Sequence, residues 1–174
     1  MNHSDIKAAA ELLDSLGCEG IIAGGAIRDA VLHRLVKDFD VYVENTPANM
    51  EALQRRFPNM TLLDTESDDY EGAAPMLLVV YEANERHDGK PIQIMLVRRD
   101  PVEYVQSVFD FGLCKAYLCN TLGLVLEPEF IQDVRAKTIT YYPSDDNHYS
   151  ETRAQRLSEK YADYRVVVPD GFRA

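Results

Sequence analysis

Two glycines followed at short range by two aspartates constrain this chain more than any other feature. The stretch reads Ala23-Gly24-Gly25-Ala26-Ile27-Arg28-Asp29, then Val36-Lys37-Asp38-Phe39-Asp40-Val41. Before it, Gly20 to Ala23 is a short apolar run of the kind that forms a buried strand. Gly24-Gly25 interrupt that run, and Ala26 to Arg34 take up helical periodicity through Ile27, Ala30 and Val31. Phe39 to Glu44 then alternates with the period of a half-buried strand. The local order is therefore strand, tight turn, helix, strand.

The flanking sequence surrounds this unit with mixed elements. Ile6 to Leu16 carries an amphipathic helical pattern that stops at Gly17. Thr46-Pro47 opens a helix reaching about Phe57, with proline at its first position. Met60 to Leu63 reads as a strand, and Asp64 to Gly72 as an acidic, solvated loop. Met76 to Glu82 and Pro91 to Val97 read as strands joined by a turn at Asp88-Gly89. Asp100-Pro101-Val102-Glu103 has the form of a capped helix start. Leu113 to Cys119, Leu124 to Glu127 and, more weakly, Lys137 to Tyr141 read as strands, and Ser150 to Tyr164 as an amphipathic helix. Helices and strands mix without strict alternation. The expected fold class is α+β, with a mixed, largely antiparallel sheet and helices packed on one face. The 174 residues suit one domain, on which a helix and strand over about 148–174 would pack.

The central unit has a chemical reading. Glycines let backbone amides approach a phosphate because no Cβ intervenes, and a following helix N-terminus adds aligned N–H groups. Residues two apart on a strand leave the same face, so Asp38 and Asp40 would present a pair of hard oxygen ligands suited to magnesium. Phe39 would point the other way, into the core. Two aspartates so placed repel each other unless a cation sits between them.

Gly24-Gly25-Ala26-Ile27-Arg28-Asp29 followed by Lys37-Asp38-Phe39-Asp40 resembles the head-domain signature of tRNA CCA-adding enzymes and bacterial poly(A) polymerases, in the polymerase-β-like nucleotidyltransferase superfamily. The likeness is close over Ala23 to Val43. It implies a nucleotidyltransferase fold and magnesium-dependent transfer of a nucleotidyl group from an NTP such as ATP to an acceptor hydroxyl. It implies Asp38 and Asp40 as metal ligands, Gly24 and Gly25 as triphosphate contacts, and Arg28 and Asp29 at or behind the nucleotide pocket. Lys37 is a candidate for assisting phosphate binding.

The sequence departs from that pattern in two places. A third carboxylate is expected on the strand Pro91 to Leu96, where the best-aligned polar residue is the neutral Gln93. Asp110 is the leading substitute as a third catalytic acid, ahead of Asp133 and Glu82. Further, no Glu-Asp-x-x-Arg base-selecting motif is found, and Arg153, Arg156 and Lys160 on the last helix read first as solvated charges. The expectation is a minimal nucleotidyltransferase, and the alternative is a catalytically weak nucleotide-binding or protein-interaction module on the same fold.

Composition narrows the partners. A formal net charge of −11 disfavours extended nucleic-acid binding, which needs a basic surface. The acceptor is left open among a small RNA end, a protein and a small molecule. No apolar run approaches the roughly 20 residues of a membrane span, and no basic flank and apolar stretch opens the chain. No membrane partner is expected, and the expected location is the cytoplasm. Cys18, Cys114 and Cys119 form no paired motif, which fits free thiols in a reducing compartment. The histidines are scattered, and His33 is expected as an exposed helix residue.

Overall fold

A computed structural model of the chain describes residues 1–63 and 76–172. The acidic stretch Asp64 to Gly72 lies outside the described residues. The elements are α1 (His3–Asp14), β1 (Ile21–Ala23), α2 (Gly25–Val31), β2 (Phe39–Glu44), α3 (Pro47–Arg56), β3 (Thr61–Leu62), β4 (Leu77–His87), β5 (Lys90–Val97), α4 (Pro101–Ser107), β6 (Ala116–Cys119), β7 (Gly123–Leu126), α5 (Pro128–Ala136), β8 (Thr138–Thr140), α6 (Glu151–Lys160) and β9 (Arg165–Val167).

Seven strands form one sheet in the order β3-β4-β5-β2-β1-β6-β7, and β8 pairs with β9 in a small second sheet. Within the large sheet β2 and β5 run parallel, while the other neighbouring pairs are antiparallel. The fold is α+β with a mixed, mostly antiparallel sheet, as the pattern predicts.

The alternation of β2 sets the orientation of the site. Phe39, Val41 and Val43 are buried on one face, in a core shared with α1, α2 and α3. Asp40, Tyr42 and Glu44 project to the other. A one-residue slip would expose all three apolar side chains, at about 1.5–3 kcal/mol each. The aspartate face is therefore held by burial of its neighbours. Most helices pack on the Phe39 side. α4 crosses part of the opposite face, where Tyr104 and Val108 meet Val80, Met95 and Val97, and Val105 meets Ile21, Ala23 and Tyr117.

Local signals end the elements where expected. The Thr46 hydroxyl caps α3 by accepting from the Asn49 amide, and Asp100 caps α4 by accepting from the amides of Val102 and Glu103. Asp88 and Gly89, at φ 50° and 73°, turn the β4–β5 hairpin.

Two expectations need correction, and one helix was missed. Leu113 and Cys114 belong to a 3₁₀ turn, Gly112–Cys114, that precedes β6. The helix α5 was not expected, although Glu127-Pro128 places proline at its first position. His33 lies beyond α2 at φ 58°, a left-handed position rather than a helical one. No helix among the described residues is long and apolar enough to cross a membrane.

Candidate active site

The chain leaves β1, turns at Gly24 and enters α2. Gly24 has φ 71°, a conformation that L side chains rarely adopt. The turn is held from both sides: the Gly24 amide donates to the Ala116 carbonyl at 3.2 Å, and the Arg28 amide donates to the Gly24 carbonyl at 2.9 Å. The first amides of α2 have no intrahelical acceptor by the geometry of a helix start.

Because β1 runs antiparallel to β2, with Ile21 opposite Tyr42 and Ile22 opposite Val41, the glycine turn lies at the end of the sheet where β2 begins. Asp38 immediately precedes β2 and Asp40 is its second residue. Oδ1 of Asp40 is buried and has no hydrogen-bond partner among the described residues. An unsatisfied buried carboxylate oxygen is costly. Burial first, and then the Asp38 charge, push the Asp40 carboxyl up to about 8, with Arg28 opposing. Burial likewise raises Asp38, against the charges of Lys160, Lys37 and Arg28. The site therefore holds two carboxyls that are hard to ionise together without a cation.

That donor set fits a divalent metal. Both groups offer hard oxygens, and a dication would partner the orphaned Asp40 oxygen while offsetting the repulsion. Among the described residues no group of three or more His, Cys, Asp or Glu side chains is arranged to hold a metal, so the pair stands without a third protein carboxylate.

The register explains why. Gln93 on β5 is the direct partner of Asp40, and Glu82 on β4 is the direct partner of Gln93. The position adjoining Asp40 is thus filled by the neutral amide that the sequence suggested. Asp110 was the expected substitute, but both its oxygens are engaged. Arg153 donates from Nε to Oδ2 at 2.8 Å and from a terminal nitrogen to Oδ1 at 3.0 Å, and the Phe111 amide donates to Oδ1 at 3.0 Å. Asp110 is 3% exposed and forms a bidentate ion pair, so the geometry gives no support to a third metal ligand there. Asp133, the other weak candidate, accepts from the Thr138 hydroxyl at 2.7 Å and the Thr140 amide at 2.9 Å.

Arg28 and Asp29 lie behind the glycine turn rather than on the surface. The Arg28 guanidinium donates from Nε to Asp29 Oδ1 at 2.9 Å and to the Tyr161 hydroxyl at 3.2 Å. Lys160 and the Tyr161 hydroxyl also donate to Asp29. Burial pulls the Asp29 carboxyl up, but the Arg28 charge and these bonds outweigh it and hold the group below its ordinary value. Lys37 is exposed, and its charge reaches Asp38.

The sequence did not single out Lys160, Tyr161 and Arg153 as site residues. Asp29 and Lys160 stand 131 positions apart, a separation that leaves no local signal. An amphipathic helix ending in Lys-Tyr gives no hint that these heads turn inward. A cavity of about 360 Å³ opens near the far end of β2, bordered by Ile21, Glu44, Pro101 and Cys119. It is separate from the carboxylate pair, which sits at the other end of that strand.

The sequence profile of the Gabija anti-defense 2 family matches residues 3–137. The chain belongs to this family. The matched region of this family member includes the glycine turn, both aspartates and Asp110, and ends before α6. No curated protein matches the chain. Among solved structures, it is similar to a Thermotoga maritima CCA-adding enzyme complexed with tRNA, with TM-score 0.62 and 17% identity, covering 95% of this chain and 38% of that one. It is also similar to a CCA-adding enzyme in complex with ATP, with TM-score 0.61 and 16% identity over 95% of this chain and 39% of that one. A tRNA nucleotidyltransferase complexed with a primer tRNA and an incoming ATP analog superimposes with TM-score 0.54 and 15% identity, over 91% and 46%. The chain thus spans less than half the length of each, and it has the nucleotidyltransferase fold.

Proposed function

We propose that this chain is a magnesium-dependent nucleotidyltransferase that moves a nucleotidyl group from an NTP to an acceptor hydroxyl and releases pyrophosphate. The observation that carries the reading is the buried Asp40 oxygen beside Asp38, without a hydrogen-bond partner among the described residues, next to the Gly24-Gly25 turn in a nucleotidyltransferase fold. In the reaction the acceptor oxygen forms a bond to the α-phosphorus while the bond to the pyrophosphate oxygen breaks. Magnesium, when bound, supplies charge neutralisation at the phosphates and acidifies the acceptor hydroxyl.

The chain's own residues supply the positioning. Asp38 and Asp40 hold the cation. Gly24 and Gly25 leave room for the triphosphate against the first amides of α2, and Lys37 adds positive charge beside Asp38. Arg28, locked by Asp29 and Tyr161, supports the turn from behind with a buried positive charge. Asp110 acts through Arg153, which ties α6 to the segment after α4. The family's description names an anti-defence role, and the acceptor is a small RNA end, a protein or a small molecule.

A second reading rests on Gln93. With a neutral amide in register beside Asp40, and Asp110 committed to Arg153, the pair would bind a nucleotide with its cation and turn it over slowly. The chain would then act as a nucleotide-binding interaction module. Transfer separates the two readings. Wild type, Asp38→Ala and Asp40→Ala are incubated with magnesium, each α-labelled NTP, and RNA or protein acceptors. Label transfer by the wild type and its loss in both variants supports the enzyme. NTP binding without transfer to any acceptor supports the module.

A further inference from the structure

We infer that Phe109 is the nucleobase platform of the NTP site, a reading that rests on the nucleotidyltransferase proposal above. Phe109 is half-buried and packs against each of the three apolar clusters of the molecule. Its ring edge comes within 3.6 Å of where a Cβ on Gly24 would stand, so it borders the glycine turn directly. It meets Tyr42 edge-on, at 5.6 Å between centroids, and Tyr104 at 5.9 Å. Tyr42 follows Asp40 by two residues on the same face of β2. The ring therefore sits beside both the proposed phosphate contact and the strand that carries the proposed metal ligand.

The support of this ring is rigid. Phe109 immediately precedes Asp110, whose carboxylate is gripped on both oxygens by Arg153. Tyr104 stands on α4, and Tyr42 on the centre of the sheet. The ring is held by two T-shaped aromatic contacts and keeps part of its surface exposed, and that exposed part is where a flat apolar partner would be received. A nucleobase is such a partner, since each base offers a π face to an aromatic ring. Stacking of this kind is sequence-tolerant. The platform therefore favours purines for their larger area without distinguishing adenine from guanine.

The test compares two probes in saturating magnesium by calorimetry: ATP, which carries a base, and inorganic tripolyphosphate, which does not. Wild type, Phe109→Leu and Phe109→Tyr are used, each checked for folding by its melting transition. Phe109→Leu is expected to weaken ATP about tenfold and leave tripolyphosphate unchanged. Phe109→Tyr keeps the ring and is expected to keep ATP affinity, and GTP is expected to bind wild type within about threefold of ATP. Binding of both probes by wild type, with equal losses or none in Phe109→Leu, overturns the platform alone. If wild type binds neither probe, the nucleotide-site reading falls and the platform with it.

Discussion

Replacing Asp40 by asparagine is expected to stabilise the metal-free protein at alkaline pH, and the effect can be worked from the site. The folded Asp40 carboxyl titrates near 8 rather than at its ordinary 3.8. An unfolded chain gives up that proton near the ordinary value, so between the two the folded state binds more protons. Stability therefore falls as pH rises through this window. Each pH unit there costs about 1.4 kcal/mol, and the slope fades as the folded group itself ionises. From pH 6 to pH 8 the loss assigned to Asp40 is about 2 kcal/mol. For a chain of this size that lowers Tm by about 4–8 °C. The assay is thermal unfolding in chelator at pH 6, 7 and 8, for wild type and Asp40→Asn. Other groups titrate in the same range, so the informative quantity is the difference between the two proteins. Asp40→Asn should gain on wild type as pH rises. Magnesium at pH 8 should restore wild type and leave the variant unmoved. Parallel pH profiles for the two proteins would refute the reasoning.

Other expectations follow from named contacts. Gln93→Glu puts a carboxylate in register beside Asp40, so magnesium affinity measured by calorimetry should rise, with a lower metal-free Tm as the cost of a third negative charge. Asp110→Asn leaves Arg153 half-paired and should cost about 2–3 kcal/mol in denaturant unfolding, less than a fully buried pair because the Arg153 side chain is 29% exposed. Tyr161→Phe removes the hydroxyl shared by Arg28 and Asp29 and should cost about 1–2 kcal/mol in the same assay. His33→Gly relieves a left-handed residue at φ 58° and should stabilise the fold by about 1 kcal/mol.

Much of the site's frame was legible because it is local. The Gly24-Gly25 turn, the alternation of Phe39 to Glu44 and the capped starts at Thr46 and Asp100 are each set by residues within a few positions of one another. Gln93 was picked out because the resemblance implies a third carboxylate on a neighbouring strand, and the parallel register sets it directly beside Asp40. What stayed hidden depends on long-range contact. The partners of Asp29 and Asp110 come from α6, far along the chain, and no periodicity reveals that an arginine and a lysine on an amphipathic helix turn toward buried carboxylates. Helix α5 escaped notice although Phe130, Ile131 and Val134 recur at helical spacing behind Glu127-Pro128, because the segment is only nine residues long and lies directly after a strand. His33 was misjudged because the helix before it ends at Val31, and its left-handed turn is the sort of position usually given to glycine.

The central claim is that Asp38 and Asp40 together hold a divalent cation against the triphosphate of an NTP on the Gly24-Gly25 turn. A crystal structure with manganese and a non-hydrolysable ATP analogue tests it most directly, because anomalous scattering locates the metal without reference to activity. The account predicts manganese within coordination distance, about 2.0–2.2 Å, of one oxygen from each aspartate, with Asp40 Oδ1 among them and phosphate oxygens completing the shell. Manganese bound elsewhere, or a triphosphate lying away from Gly24 and Gly25, would contradict it.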